Sequence, residues 1–249
     1  MPAKAITDPE AYQLELGQHL LELKRRITQI VLVFVPVTVI GLVNAKPLVS
    51  MLLRNSPPIY FFAPGEAFSA HLRVAALLGL TAAWPLILLQ AYRFAAPGLY
   101  PNERRALLWI LPAGLLLFAV GGLFGYLVAV PVLQLWLGRW ASDTVQATVS
   151  VVLYVAFLTR IVLASALVWQ LPLISVVLTS LGLVSARGMA AYRRWVLLGI
   201  VAGSALLTPP DPVSQLMVAG PAVVLYEISV QLARLVERTA GRRAGAGSP

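Results

Sequence analysis

The segment FAAPGLYPNERR, residues 94–105, sets one carboxylate, Glu103, directly beside Arg104 and Arg105 in a polar island between two long apolar runs. A local use is expected there: Asn102 as the N-cap of the helix that follows, with Glu103 in its first turn favoured by the helix dipole. Other polar groups lie inside the apolar runs. Arg160 and Gln170 are ten positions apart, about 80° around a helix and about 15 Å along it, so they do not share one small site. Arg160 has two open readings, a charge that snorkels or pairs within a bundle and a functional intramembrane charge. Gln170 also has two, structural glue between helices and a polar group lining a groove. Glu66 and Arg73 are spaced to pair near a surface, and His71 reads as a lone structural histidine rather than a proton relay. No reaction chemistry is legible. H-E-x-x-H, G-x-S-x-G and GxxxxGK[ST] are all missing, and the chain has no cysteine, so no enzyme and no cofactor are expected.

The elements that must hold these groups are set by composition. Of 249 residues, 59% are hydrophobic and only 12% charged, about half the charged fraction a soluble surface needs. Together with a mean hydropathy of +0.82, this predicts an integral membrane protein. The net charge of +9 does not point to nucleic acid, because the basic residues sit in small clusters without interleaved aromatics. Acidic residues at Asp8, Glu10, Glu15 and Glu22 argue against a cleaved secretory signal.

Apolar windows predict an all-α chain of six transmembrane helices at roughly 27–45, 68–92, 106–137, 151–184, 195–208 and 213–233. Residues 1–26 then form an N-terminal arm, 27–233 the membrane domain and 234–249 a tail without fixed structure. Lys4, Lys24, Arg25, Arg26, Arg93, Arg104, Arg105, Arg187, Arg193, Arg194, Arg234, Arg238, Arg242 and Arg243 all fall on one side. The loops of the other side hold only Lys46, Arg54 and Arg139. The positive-inside rule therefore predicts both termini in the cytoplasm. The fifth span supplies about 14 residues, roughly 21 Å against a hydrocarbon core of about 30 Å, so local thinning of the bilayer is expected. The fourth is overlong, and Pro172 is expected to bend or end it. The loop with Pro64 reads as a cap on the outer surface.

Several motifs fall in one order: HLLELKRRI (His19 to Ile27), Gln90 with Phe94 and PGLYPNERR, FAVGGLFGY, WQLP (Trp169 to Pro172), LLTPPDPVSQ (Leu206 to Gln215) and PAVVLYE (Pro221 to Glu227). This set, in this order on six spans, resembles the TatC family, the multispanning subunit of the twin-arginine protein translocase. The resemblance runs from His19 to Glu227. It implies a concave bundle with short fifth and sixth spans, export of folded proteins driven by the proton motive force, and a role as receptor for signal peptides with two adjacent arginines.

Residue by residue, the resemblance implies peptide-binding carboxylates at Glu22 and Glu103, with Phe94 and Lys24 beside them. Guanidinium forms bidentate charge-assisted hydrogen bonds with carboxylate, which lysine does not reproduce. It also implies a groove position at Gln170, contacts with single-span TatA and TatB type partners at Thr208 and Gln215, and structural roles for Pro64, Pro172, Pro209, Pro210 and Asp211. Self-association in a receptor complex follows from the same likeness. Two residues depart from the family pattern: Gln170 stands where a glutamate is common, and Lys24 where arginine is more frequent. The competing readings are an ion-coupled small-solute transporter and a passive membrane scaffold.

Overall fold

A computed structural model of the chain describes residues 9–54, 56, 58–95, 109–139, 148–208 and 212–246. Helix α1 spans Pro9–Val43, α2 Ala45–Leu52 and α3 Glu66–Ala95. Helix α4, Ile110–Phe124, runs through a π-helical turn, Gly125–Ala129, into α5, Val130–Gly138. Then come α6 (Val151–Val168), α7 (Leu171–Ser180), α8 (Ala186–Ala191), α9 (Arg193–Leu207) and α10 (Pro212–Ala246).

Among the described residues, five stretches are long and apolar enough to cross a membrane: Lys24–Val43, Glu66–Arg93, Ile110–Gly138, Val151–Ser180 and Pro212–Arg238. The expected fifth span is α9, a helix of 15 residues, about 22 Å long and short of a full crossing by itself. Its end is set by Thr208, which is extended, the conformation favoured for a residue before proline. The expectation of a short sixth span needs correction. Helix α10 has 35 residues and continues through Pro221 to Ala246, past the boundary at Ala233 where an irregular tail was expected. Leucine, alanine and arginine, all good helix formers, carry the helix on after the apolar window stops.

Proline decides where the long spans bend. Pro131 has no N–H to give back to the preceding turn, and just before it the Val130 N–H reaches Gly125 O in the π turn. Pro172 has the same effect one helix later. There α6 stops at Val168, Trp169 and Gln170 form a turn, and α7 restarts with Pro172 in its first turn, the bend expected from the sequence. Gly182 at φ 70° closes α7, a conformation that favours glycine.

Long helices adjacent in sequence pack antiparallel, as α1 on α3 and α4 on α6, whereas α3 and α6 run parallel. Helix α1 lies along α3, where Gly79 admits Thr38 and the Phe34 carbonyl so closely that a Cβ would sit 2.1 Å from Thr38 Oγ1. Helix α6 is central, with Val155, Leu158 and Ile161 buried against α3, α5 and α10. Trp84 of α3 stacks on Phe118 of α4 at 4.3 Å between ring centroids.

At one end of the bundle the expected cap is present. Helix α2 covers it, and Ile59–Tyr60 (β1) pairs in parallel with Val149–Ser150 (β2), so the chain is not purely helical. Pro64 is exposed in the turn before α3. Glu66 does not pair with Arg73. Its carboxylate accepts from Ser150 Oγ at 2.9 Å and from the Phe62 N–H at 3.3 Å, which ties the cap to the start of α6. His71 Nδ1 lies 2.6 Å from Ala67 O on its own helix, a local contact that suits its structural reading.

Candidate functional site

At the opposite end of α1 and α3 the helices are joined by polar side chains. Glu22 and Arg26, one turn apart on α1, form an ion pair in which Arg26 Nε donates to Glu22 Oε1 at 3.2 Å and Nη2 donates to the same oxygen. The remaining arm of the fork, Nη1, crosses to α3 and donates to Gln90 O at 3.0 Å and to Gln90 Oε1 at 3.1 Å. Gln90 is buried, and its amide nitrogen donates to Gln29 Oε1 on α1, which turns its oxygen toward Arg26. The carboxylate stands outermost: the Glu22 side chain is 49% exposed against 16% for Arg26.

This arrangement presents a half-exposed carboxylate on a short polar bridge at the end of α3. From that same end the chain runs on to the segment that carries Glu103. Glu103, Arg104, Arg105 and Asn102 lie outside the described residues, as do Pro209, Pro210 and Asp211 and the side chain of Phe94, whose backbone is in the last turn of α3. Lys24 is exposed, and its carbonyl accepts from Thr28 Oγ1 at 2.8 Å. Sequence reasoning paired Glu22 with incoming cations and missed Arg26. The i, i+4 spacing of Glu22 and Arg26 was the available signal, whereas the crossing to Gln90 spans 64 residues and had none.

Gln170 sits elsewhere, in the break between α6 and α7, at only 3% exposure. Its Nε2 donates to Gly114 O on α4 at 3.1 Å, so in this chain it acts as glue between helices and does not line an open groove. We expect Gln170→Leu to lower stability by about 1 kcal/mol, the usual net value of one such bond. Thermal unfolding in detergent reads this out, with insertion unchanged.

Arg160 is exposed on α6, on one stripe with Leu153 and Leu167. It lies nine residues from Val151, about 14 Å along the helix, and helical side chains lean toward the N-terminus, which favours the snorkelling reading. Thr208 is buried and bonded to Ser204 O at 3.0 Å, while Gln215 Nε2 donates to Val201 O at 3.0 Å. Both tie α9 to α10. At the other end of this pair Arg193 holds Glu227 at 2.8 Å, and Glu237 accepts the Ala186 N–H at 2.7 Å at the start of α8.

Comparison with known proteins decides the family. The model of the Sec-independent protein translocase protein (TatC) family matches residues 18–221. The chain belongs to the TatC family. Among curated TatC proteins, one from Desulforapulum autotrophicum is 37% identical over 190 residues, covering 76% of this chain and 70% of its own. The TatC of Listeria innocua is 32% identical over 222 residues, covering 87% of this chain and 90% of its own. A crystal structure of the twin arginine translocase receptor TatC superposes with a TM-score of 0.79 at 29% identity, covering 88% of this chain and 99% of that one. Membership makes the chain a component of a Sec-independent protein translocase, a multi-pass membrane subunit that works with other subunits of that system. Neither a small-solute transporter nor a passive scaffold is favoured by these likenesses.

Proposed function

We propose that this chain is the signal-peptide receptor and core subunit of the twin-arginine translocase, exporting folded proteins across the cytoplasmic membrane at the expense of the proton motive force. The observation that carries the reading is the half-exposed Glu22 carboxylate, fixed at the junction of α1 and α3 near the end of α3, from which the chain continues toward Glu103. A surface carboxylate held on two packed helices is oriented for an incoming guanidinium. In this reading α9 also crosses, as a short fifth span in a thinned bilayer, and both termini are cytoplasmic. The cation clusters support that orientation. Their ends of the helices include the Glu22 site, while the α2 cap faces outward.

The apolar part of the peptide follows the membrane face of a concave bundle, and single-span TatA and TatB type subunits dock near Thr208 and Gln215, at the short helix. Site-specific photo-crosslinking tests this assignment. Probes placed beside Glu22 and within residues 96–108 should capture a twin-arginine signal peptide, and probes beside Thr208 a single-span partner. Capture of a lysine-substituted peptide with equal yield at the first two positions overturns the receptor assignment.

A further inference from the structure

The resting Glu22 carboxylate already holds a guanidinium. Arg26 is the chain's own arginine, on the same helix, in the contact that an incoming arginine would make. We propose that Arg26 is a placeholder that the first peptide arginine displaces, and that this exchange sets the affinity a peptide must have to occupy the site. The inference rests on the receptor reading above, and adds to it a residue that holds the empty site closed.

Two features of the geometry carry it. The first is that Arg26 has somewhere to go: Nη1 is held by two α3 oxygens, the Gln90 carbonyl at 3.0 Å and its side-chain oxygen at 3.1 Å. Gln29 keeps that side-chain oxygen turned toward it. An arginine that yields Glu22 therefore stays bonded at the buried end of the bridge, which removes the penalty of stranding a cation. The second is the order of exposure. Glu22 lies outside and Arg26 beneath, so a peptide reaches the carboxylate from solvent without first parting α1 from α3.

The chemistry of the exchange then discriminates. An incoming guanidinium replaces a two-donor fork with another of the same kind, so little is lost. An incoming ammonium replaces that fork with a point charge of different geometry. The lysine peptide must compete against Arg26 at a disadvantage of about one charge-assisted bond, on the order of tenfold in affinity. Arg26 lowers both affinities by the same factor, so the ratio stays with the carboxylate while the weaker lysine peptide is pushed below useful occupancy.

The test uses the full chain in lipid nanodiscs with two fluorescent signal peptides, one with twin arginines and one with twin lysines. In Arg26→Gln both affinities should rise by the same factor, about tenfold, with the arginine-to-lysine ratio unchanged. Arg26→Lys keeps the charge and guards against a folding defect; it should raise both affinities by a smaller factor. Unchanged affinities in both variants, or a parallel loss of both, make Arg26 a brace between α1 and α3 and overturn the placeholder. Failure of the receptor reading looks different. There the unaltered chain would bind the two peptides alike, and Glu22→Ala would change neither.

Discussion

Glu22→Ala combined with Glu103→Ala is expected to abolish crosslinking to a twin-arginine signal peptide while the chain remains inserted and folded. Each carboxylate offers charge-assisted hydrogen bonds to a guanidinium, about 1.5–3 kcal/mol apiece, so losing both should weaken binding on the order of a hundredfold or more. Glu22→Ala alone should do less, because one arginine keeps its partner. Folding is spared for a structural reason. Glu22 is half exposed, and without it Arg26 keeps both Gln90 oxygens, so no bridge between α1 and α3 is cut. Normal crosslinking in the double variant, at normal levels in the membrane, would remove the two-carboxylate site from consideration.

The second large effect is expected far from that site, where α4 and the π turn meet α6. A Cβ at Gly121 would fall 2.8 Å from Trp169 Cβ and 2.9 Å from the Ala166 Cα; at Gly125 it would fall 2.9 Å from the Val162 Cα. These are contacts with backbone and with the root of the half-buried Trp169 side chain, which have no rotamer to move into. Helices in lipid are held by close van der Waals approach and not by exclusion of water, so a forced separation is poorly compensated. Gly121→Val or Gly125→Val should cost about 1–3 kcal/mol, and the pair together more, read as a lower unfolding temperature in detergent and greater protease sensitivity. Insertion should not suffer, since valine raises hydropathy. Gly199→Val and Gly203→Val are the controls, because a Cβ at either glycine meets nothing within 4 Å. Equal damage at all four would show that helix propensity, and not close packing, governs the outcome.

The same division separates what was legible in the chain from what was not. Hydropathy marked four of the five long spans near their ends, because the cost of unpaired backbone in lipid forces each apolar run into a helix. Pro172 announced the break between α6 and α7 by chemistry internal to one residue. The last helix was misjudged, since its C-terminal half is held by propensity and by packing on α7 and α8, neither of which an apolar window records. The ordered motifs from His19 to Glu227 were enough to suggest the family, which the family match later showed.

Position across helices was a different matter. Gln170 was readable as groove or glue, and only the approach of α4, which brings Gly114 O to 3.1 Å, decides for glue. Glu66 was near Arg73 in sequence, yet Ser150, 84 residues away, takes its carboxylate. Arg26 looked like one more inward-side cation until Gln90 arrived from another helix to hold its far nitrogen. By itself the sequence determined the medium, the helices and the identity of the charged groups, because these follow from local composition and spacing. The tertiary structure alone decided which charge each group meets, because hydrogen bonds reach only about 3 Å and the partners come from helices distant along the chain.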